Sequence, residues 1–158
     1  MKERTMNSQI ATPLVQAVSE FMSSMVGVDC TIEPLADRVQ SAAYVSGIIT
    51  LTGNANGQVA VMFPREVGIS LVAQLLGMNG SEVDEEILRD GIGEIANILA
   101  GSAKGKLSEV GFDLKLSLPS VVTGVCHHID SFKSKLVGHY AITSLYGTYE
   151  LGVWLALN

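Results

Sequence analysis

Cysteine is nearly absent: Cys30 and Cys126 are the only two in 158 residues. A chain of this length buries roughly 68–70% of its unfolded surface, so no disulfide framework is needed to hold it. Two isolated cysteines predict buried thiols in a reducing compartment. Basic charge is also scarce. Ten Lys and Arg stand against sixteen Asp and Glu, for a net charge of −6. No cationic cluster forms a surface that tracks phosphates, so nucleic acid is excluded as a partner. No apolar run approaches the ~20 residues that cross a bilayer, and the polar start MKERTMNSQIATP lacks the apolar stretch of a secretory signal. These absences predict a cytoplasmic protein without membrane insertion. What is present, 47% hydrophobic residues and no low-complexity tract, describes one globular domain over residues 1–158.

The chain punctuates itself clearly. Thr12-Pro13 before LVQAVSEFMSSMVG predicts an amphipathic helix with Pro13 at its first position and Gly27 at its end. VDCTIEPL is a short extended piece that Pro34 interrupts. Two β-rich runs then flank Gly53-Asn54-Ala55-Asn56-Gly57, a hairpin pattern. Pro64 opens a helix that Gly77 stops. A long helix comes next, with Asp84, Glu85 and Glu86 in its first turn, where acidic groups meet the positive end of the helix dipole. The remainder reads as strand: FDLKLSLP, SVVTGVCHHID, and a second hairpin around Tyr146-Gly147. Helices and strands do not alternate one for one, which argues against a parallel doubly wound sheet. The expected class is α+β, with antiparallel strands and the long helices packed on one side. Helix, short strand and hairpin occur in that order twice, roughly over 10–63 and 84–157, which suggests an internal duplication.

The stretch DGIGEIANILAGSAKGK, Asp90 to Lys106, carries three overlapping patterns. Gly91, Gly93 and Ala96 fit a dinucleotide fingerprint, but that fingerprint must follow a strand, and here it follows acidic, helix-prone SEVDEEILRD. Gly101 to Lys106 half-fits a phosphate loop. Its glycines are too close together, and Leu107 occupies the position where a hydroxyl should bind magnesium. The third pattern survives. At about 100° per residue, steps of 4, 7 and 11 return within roughly 40° of the start. Asp90, Glu94, Asn97 and Gly101 therefore lie on one helix face, opposite Leu88, Ile92, Ile95, Leu99 and Ala103.

Asp90-x-x-x-Glu94-x-x-Asn97-x-x-x-Gly101 resembles the signature of the CheC/CheX/FliY family of chemotaxis phosphatases, and the element order resembles that family along the whole chain. A single intact motif on the second-half helix is more similar to the CheX branch. The resemblance implies hydrolysis of the aspartyl phosphate of a CheY-like response regulator. Asn97 would orient the attacking water and Glu94 would dock on the regulator's lysine. Asp90 and Gly101 would support the motif. It implies no cofactor on this chain, with Mg²⁺ on the partner, and a homodimer, for which the apolar end GTYELGVWLAL would need cover. The alternative is a non-catalytic module that binds a receiver domain or the flagellar switch through the same helix. Gln16, Glu20, Ser23 and Gly27 repeat the spacing with Gln for Asp and Ser for Asn, either a decayed second site or ordinary helix surface.

Other chemistry is weak in the sequence. Cys126, His127, His128 and Asp130 contain metal-ligand types, but neighbours on a strand face opposite ways and no distant pair completes a set. Met22, Met25, Met62 and Met78 read as core filler. Trp154 reads as core or as part of an oligomer seam.

Overall fold

A computed structural model describes residues 2–35, 43–129 and 134–156, with side chains from Asn7 onward. Helix α1 spans Lys2–Phe21 and passes into a wider π-helical turn over Met22–Val26. Pro13 thus lies inside the helix, against the expectation that it opens one. A proline there forfeits a backbone hydrogen bond. Ile10 and Ala11, on the preceding turn, are buried, and burial of apolar side chains holds that turn helical. Gly27 ends the segment in the left-handed conformation, at φ 79°. From the next helix, Gln74 Nε2 donates to the Val26 carbonyl at 3.3 Å, satisfying an acceptor the π turn leaves over.

Strands β1 (Thr31–Pro34), β2 (Ala43–Gly53) and β3 (Gly57–Phe63) precede α2 (Arg65–Leu76). Pro64 sits at the cap of α2, and Gly77 terminates it in the left-handed conformation. A short 3₁₀ turn at Gly80–Glu82 then leads into α3, Glu85–Glu109. Asp84 is the cap residue and not part of the first turn; its carboxylate accepts from Ile87 N at 2.8 Å. Four strands complete the chain: β4 (Leu114–Leu116), β5 (Ser120–His127), β6 (Ser134–Ser144) and β7 (Gly147–Ala156).

All strand pairs are antiparallel, in the order β1-β6-β7-β3-β2-β4, with β5 pairing the other half of β2's outer edge. This is the expected α+β class. From either edge the path reads short strand, first hairpin strand, second hairpin strand, and each short strand pairs with the hairpin of the opposite half. Alternate residues of the central strands, among them Val45, Ile49, Val61, Phe63, Leu151 and Val153, join the apolar faces of the helices in one core. On the opposite face Ala43, Ala60, Met62 and Trp154 form a smaller cluster. Trp154 is therefore core. Strand β7, whose apolar character suggested a subunit seam, is central and covered within the chain. Met25 and Cys126 are exposed, contrary to expectation, while Met22 and Met62 are buried. Cys30 is half-buried, and burial, with Asp29 beside it, pushes its thiol pKa up.

Candidate functional site

Helix α3 is pressed close to its neighbours at two glycines. A Cβ on Gly91 would come 2.6 Å from both methyls of Val72 in α2, and one on Gly47 of β2 would come 2.8 Å from Ala96 Cβ. Gly91, which fits the dinucleotide fingerprint in sequence, is thus a place of close helix packing. The start of α3 is fixed by a small polar cluster. Tyr44 Oη donates to Glu85 Oε2 at 2.9 Å, Arg65 Nη2 meets Glu85 Oε1 at 3.2 Å, and the guanidinium lies 5.7 Å from the centre of the Tyr44 ring. The hydrogen bond to Glu85 is the main reason the Arg65 pKa is raised.

Leu88, Ile92, Ile95, Leu99 and Ala103 are all buried, as their spacing predicts. Asp90, Glu94, Asn97 and Gly101 are all exposed on the opposite side. Among the described residues, neither the two carboxylates nor the amide has a hydrogen-bond or ion-pair partner. A Cβ on Gly101 would meet nothing within 4 Å. Glu86, Arg89, Lys104 and Glu109 of α3 are exposed as well; what sets this line apart is its alignment along one face, ending in an open patch at Gly101. Such a line can offer carboxylate and amide acceptors and amide donors to a second molecule.

The similar spacing on α1 does not make an equivalent line. Gln16, Glu20, Ser23 and Gly27 are exposed, but the π turn begins at Met22 and shifts the residues after it out of helical register. Gly27 is the helix terminus, whereas Gly101 lies within α3. Lys106 Nζ holds the Glu20 carboxylate at 2.7 Å, and Ser23 Oγ donates to the Glu20 carbonyl at 3.3 Å. This acidic group is already engaged by the chain's own α3.

The His-Cys segment is also spoken for. His127 Nε2 lies 2.6 Å from Ser46 Oγ, and His127 Nδ1 lies 2.8 Å from the Gly124 carbonyl. The consistent assignment has Nδ1–H donating to Gly124 and Nε2 accepting from Ser46. This arrangement spans a bulge in which Cys126 takes φ 54°. Both ring nitrogens are occupied, and no cluster of three His, Cys, Asp or Glu suited to a metal occurs among the described residues. Asp130 lies outside them. No helix among the described residues is long and apolar enough to cross a membrane.

One flank of the site had no signal in the sequence. Pro119 and Val121, beyond the end of α3, pack beside Gly93: its Cβ would lie 3.4 Å from Val121 Cγ2 and 4.0 Å from Pro119 Cγ. Only the register of β5 on β2 brings them there.

With this geometry in place, the chain can be set beside known proteins. Residues 45–143, more than half of the chain, match the family described as chemotaxis phosphatase CheX. The chain belongs to the CheX family. A curated relative, the CheY-P phosphatase CheX of Thermotoga maritima, is 28% identical over 134 residues, covering 80% of this chain and 83% of the relative. The crystal structure of a chemotaxis protein CheX from Desulfovibrio desulfuricans superposes with a TM-score of 0.81 at 27% identity, over 92% of this chain and 98% of that one. A CheX–CheY–BeF3–Mg²⁺ complex from Borrelia burgdorferi shares the fold, with a TM-score of 0.77 at 18% identity and coverage of 93% and 97%. The resemblance carried by the α3 motif is to this family.

Proposed function

We propose that this chain hydrolyses the aspartyl phosphate of a CheY-like receiver domain, with the exposed line on α3 inserted into the receiver's phosphorylation site. One observation carries the reading: Asp90, Glu94 and Asn97 are exposed, aligned and, among the described residues, free of intramolecular partners, while Glu20 on the similar α1 line is tied to Lys106. Two carboxylates and an amide aligned on one face, with no intramolecular partner to displace, are available together to a second molecule.

Phosphoryl transfer asks a protein mainly for positioning and charge stabilisation. The phosphorylated receiver contributes the phosphoryl group, a Mg²⁺ ion and a lysine. Water attacks phosphorus, the bond to the aspartyl oxygen breaks, and the carboxylate is released along with inorganic phosphate. The Asn97 side-chain carbonyl accepts a hydrogen bond from that water and aligns it with the breaking bond. Glu94 pairs with the receiver's lysine and fixes the approach of α3. Asp90 supports the orientation one turn earlier, and Gly101 leaves room for the partner's backbone. No cofactor on this chain is needed, and the protein acts where receivers are phosphorylated, in the cytoplasm.

The test tracks phosphate loss from a phosphorylated receiver mixed with the protein. Asn97→Ala should lower the rate by roughly 10²–10³, the cost of removing one well-placed polar stabiliser. Glu94→Ala should weaken docking as well as rate. If both variants match the wild type, the reading is wrong. Binding without acceleration by the wild type would instead establish the non-catalytic module.

We infer further that the chain is one domain, its halves at roughly 10–63 and 84–157 arising by duplication; a strand order that reads alike from both edges supports this. We also infer a homodimer. Val125 is 83% exposed on edge strand β5, apolar surface that a second subunit would cover. Light scattering decides it.

A further inference from the structure

Leu118 is 85% exposed, the largest fraction among the described large apolar residues that reach the surface. It stands in the connection between β4 and β5, and this connection is fastened. Ser117 N donates to the Thr50 carbonyl at 3.0 Å, while Ser117 Oγ accepts from Thr50 N at 2.9 Å. The same hydroxyl donates to the carbonyl of Leu118 itself, at 2.9 Å. On the other side Pro119 and Val121 rest beside Gly93 of α3. At about 100° per residue, Gly93 lies roughly 40° around the helix from Asn97. Leu118 is therefore held on a rigid mount at the flank of the α3 line, and its side chain contributes little to the core.

We propose that Leu118 is an apolar anchor for the phosphorylated receiver domain, a positioning residue that sets how tightly the partner docks on the α3 face. The inference rests on the reading of α3 given above and deepens it. A polar line alone makes a poor docking surface, because each of its groups must give up water. Interfaces draw their affinity from a few apolar or aromatic side chains set beside such polar contacts. A side chain whose backbone is already pinned costs less entropy to immobilise, which favours a mounted leucine over one on a mobile loop. Being apolar and away from the reacting atoms, it contacts ground state and transition state equally. Such uniform binding alters the half-saturating concentration and leaves the maximal rate alone.

The experiment uses the full chain and a phosphorylated receiver domain, with phosphate release measured across receiver concentration. Leu118→Ser should raise the half-saturating concentration about tenfold, the scale of losing one interface anchor. Its maximal rate should stay within about twofold of wild type, and Leu118→Met should restore near-normal saturation. Urea denaturation and light scattering accompany both variants. An unchanged half-saturating concentration overturns the proposal. So does a fall in maximal rate alone, or a shift that tracks loss of a dimer, which would make a second copy of this chain the occupant. Asn97→Ala run in parallel separates the two ideas. If it abolishes turnover while Leu118→Ser changes nothing, only the anchor fails; if it turns over normally, the α3 reading itself fails.

Discussion

Gly101 offers a place where stability and activity should move in opposite directions. It lies within a 25-residue helix, is exposed, and has nothing within 4 Å of where a Cβ would stand. Alanine there meets no steric obstacle and removes the backbone freedom that glycine carries into the unfolded state. The expected gain from Gly101→Ala is about 1 kcal/mol. For a domain of this size that raises Tm by roughly 2–4 °C. A glycine kept at such a cost needs another explanation, and close approach of the receiver supplies one. Gly101→Leu should keep the helix intact but hold the partner away; a misplacement of about 1 Å at a reacting centre can cost on the order of 10²-fold in rate. Thermal denaturation and aspartyl-phosphate hydrolysis are measured on the same preparations. Destabilisation by Gly101→Ala would refute the open-space argument, and full activity in Gly101→Leu would refute the clearance argument.

Gly91 should behave in the opposite sense, because its Cβ would lie 2.6 Å from the Val72 methyls. Overpacking costs about 1–3 kcal/mol, against a helix gain of about 1 kcal/mol, so Gly91→Ala should lower stability in urea denaturation. Ser23→Ala should leave phosphatase activity unchanged, since Ser23 lies in the π turn and its hydroxyl contacts only the local Glu20 carbonyl; a loss of rate with folding preserved would revive α1 as a second site. Tyr149 packs against Phe63 with its hydroxyl buried and, among the described residues, without a hydrogen-bond partner. Burial raises its pKa far above that of an ordinary phenol. The neutral form is thus favoured by folding: this stability is fully present below the unfolded pKa of about 10 and is lost as pH rises beyond it. Tyr149→Phe should be neutral or stabilising by up to about 1–3 kcal/mol, the cost of an unpaired buried hydroxyl, and should flatten the alkaline loss of stability in denaturation curves above a pH of about 10.

Where local physical chemistry dominates, the chain declares itself. Periodicity of about 3.6 put Leu88, Ile92, Ile95, Leu99 and Ala103 on one side of α3, because a helix face must be apolar to be buried. Gly27 and Gly77 mark helix ends because both residues adopt positive φ. The turns at Asn54 and Tyr146 separate strands that pair as hairpins, since a short antiparallel connection needs no tertiary help. Local rules failed where distant contacts outweighed them. Pro13 signals a helix start, yet burial of Ile10 and Ala11 carries α1 upstream of it. FDLKLSLP alternates like a strand, yet only Leu114–Leu116 pair, because β2's outer edge is shared with β5.

The candidate site divides in the same way. The alignment of Asp90, Glu94, Asn97 and Gly101 comes from helix geometry alone, so the sequence by itself determined which groups could act together. Whether those groups are free is a property of packing. Sequence spacing made the Gln16, Glu20, Ser23, Gly27 line look comparable. The tertiary structure separated the two lines, by engaging Glu20 with Lys106 and by widening the helix at Met22–Val26. It also brought the Ser117–Val121 segment beside Gly93, through strand register that no local pattern encodes. Spacing along a helix depends on neighbours a few residues away, whereas occupancy of a side chain depends on whatever the fold carries to it.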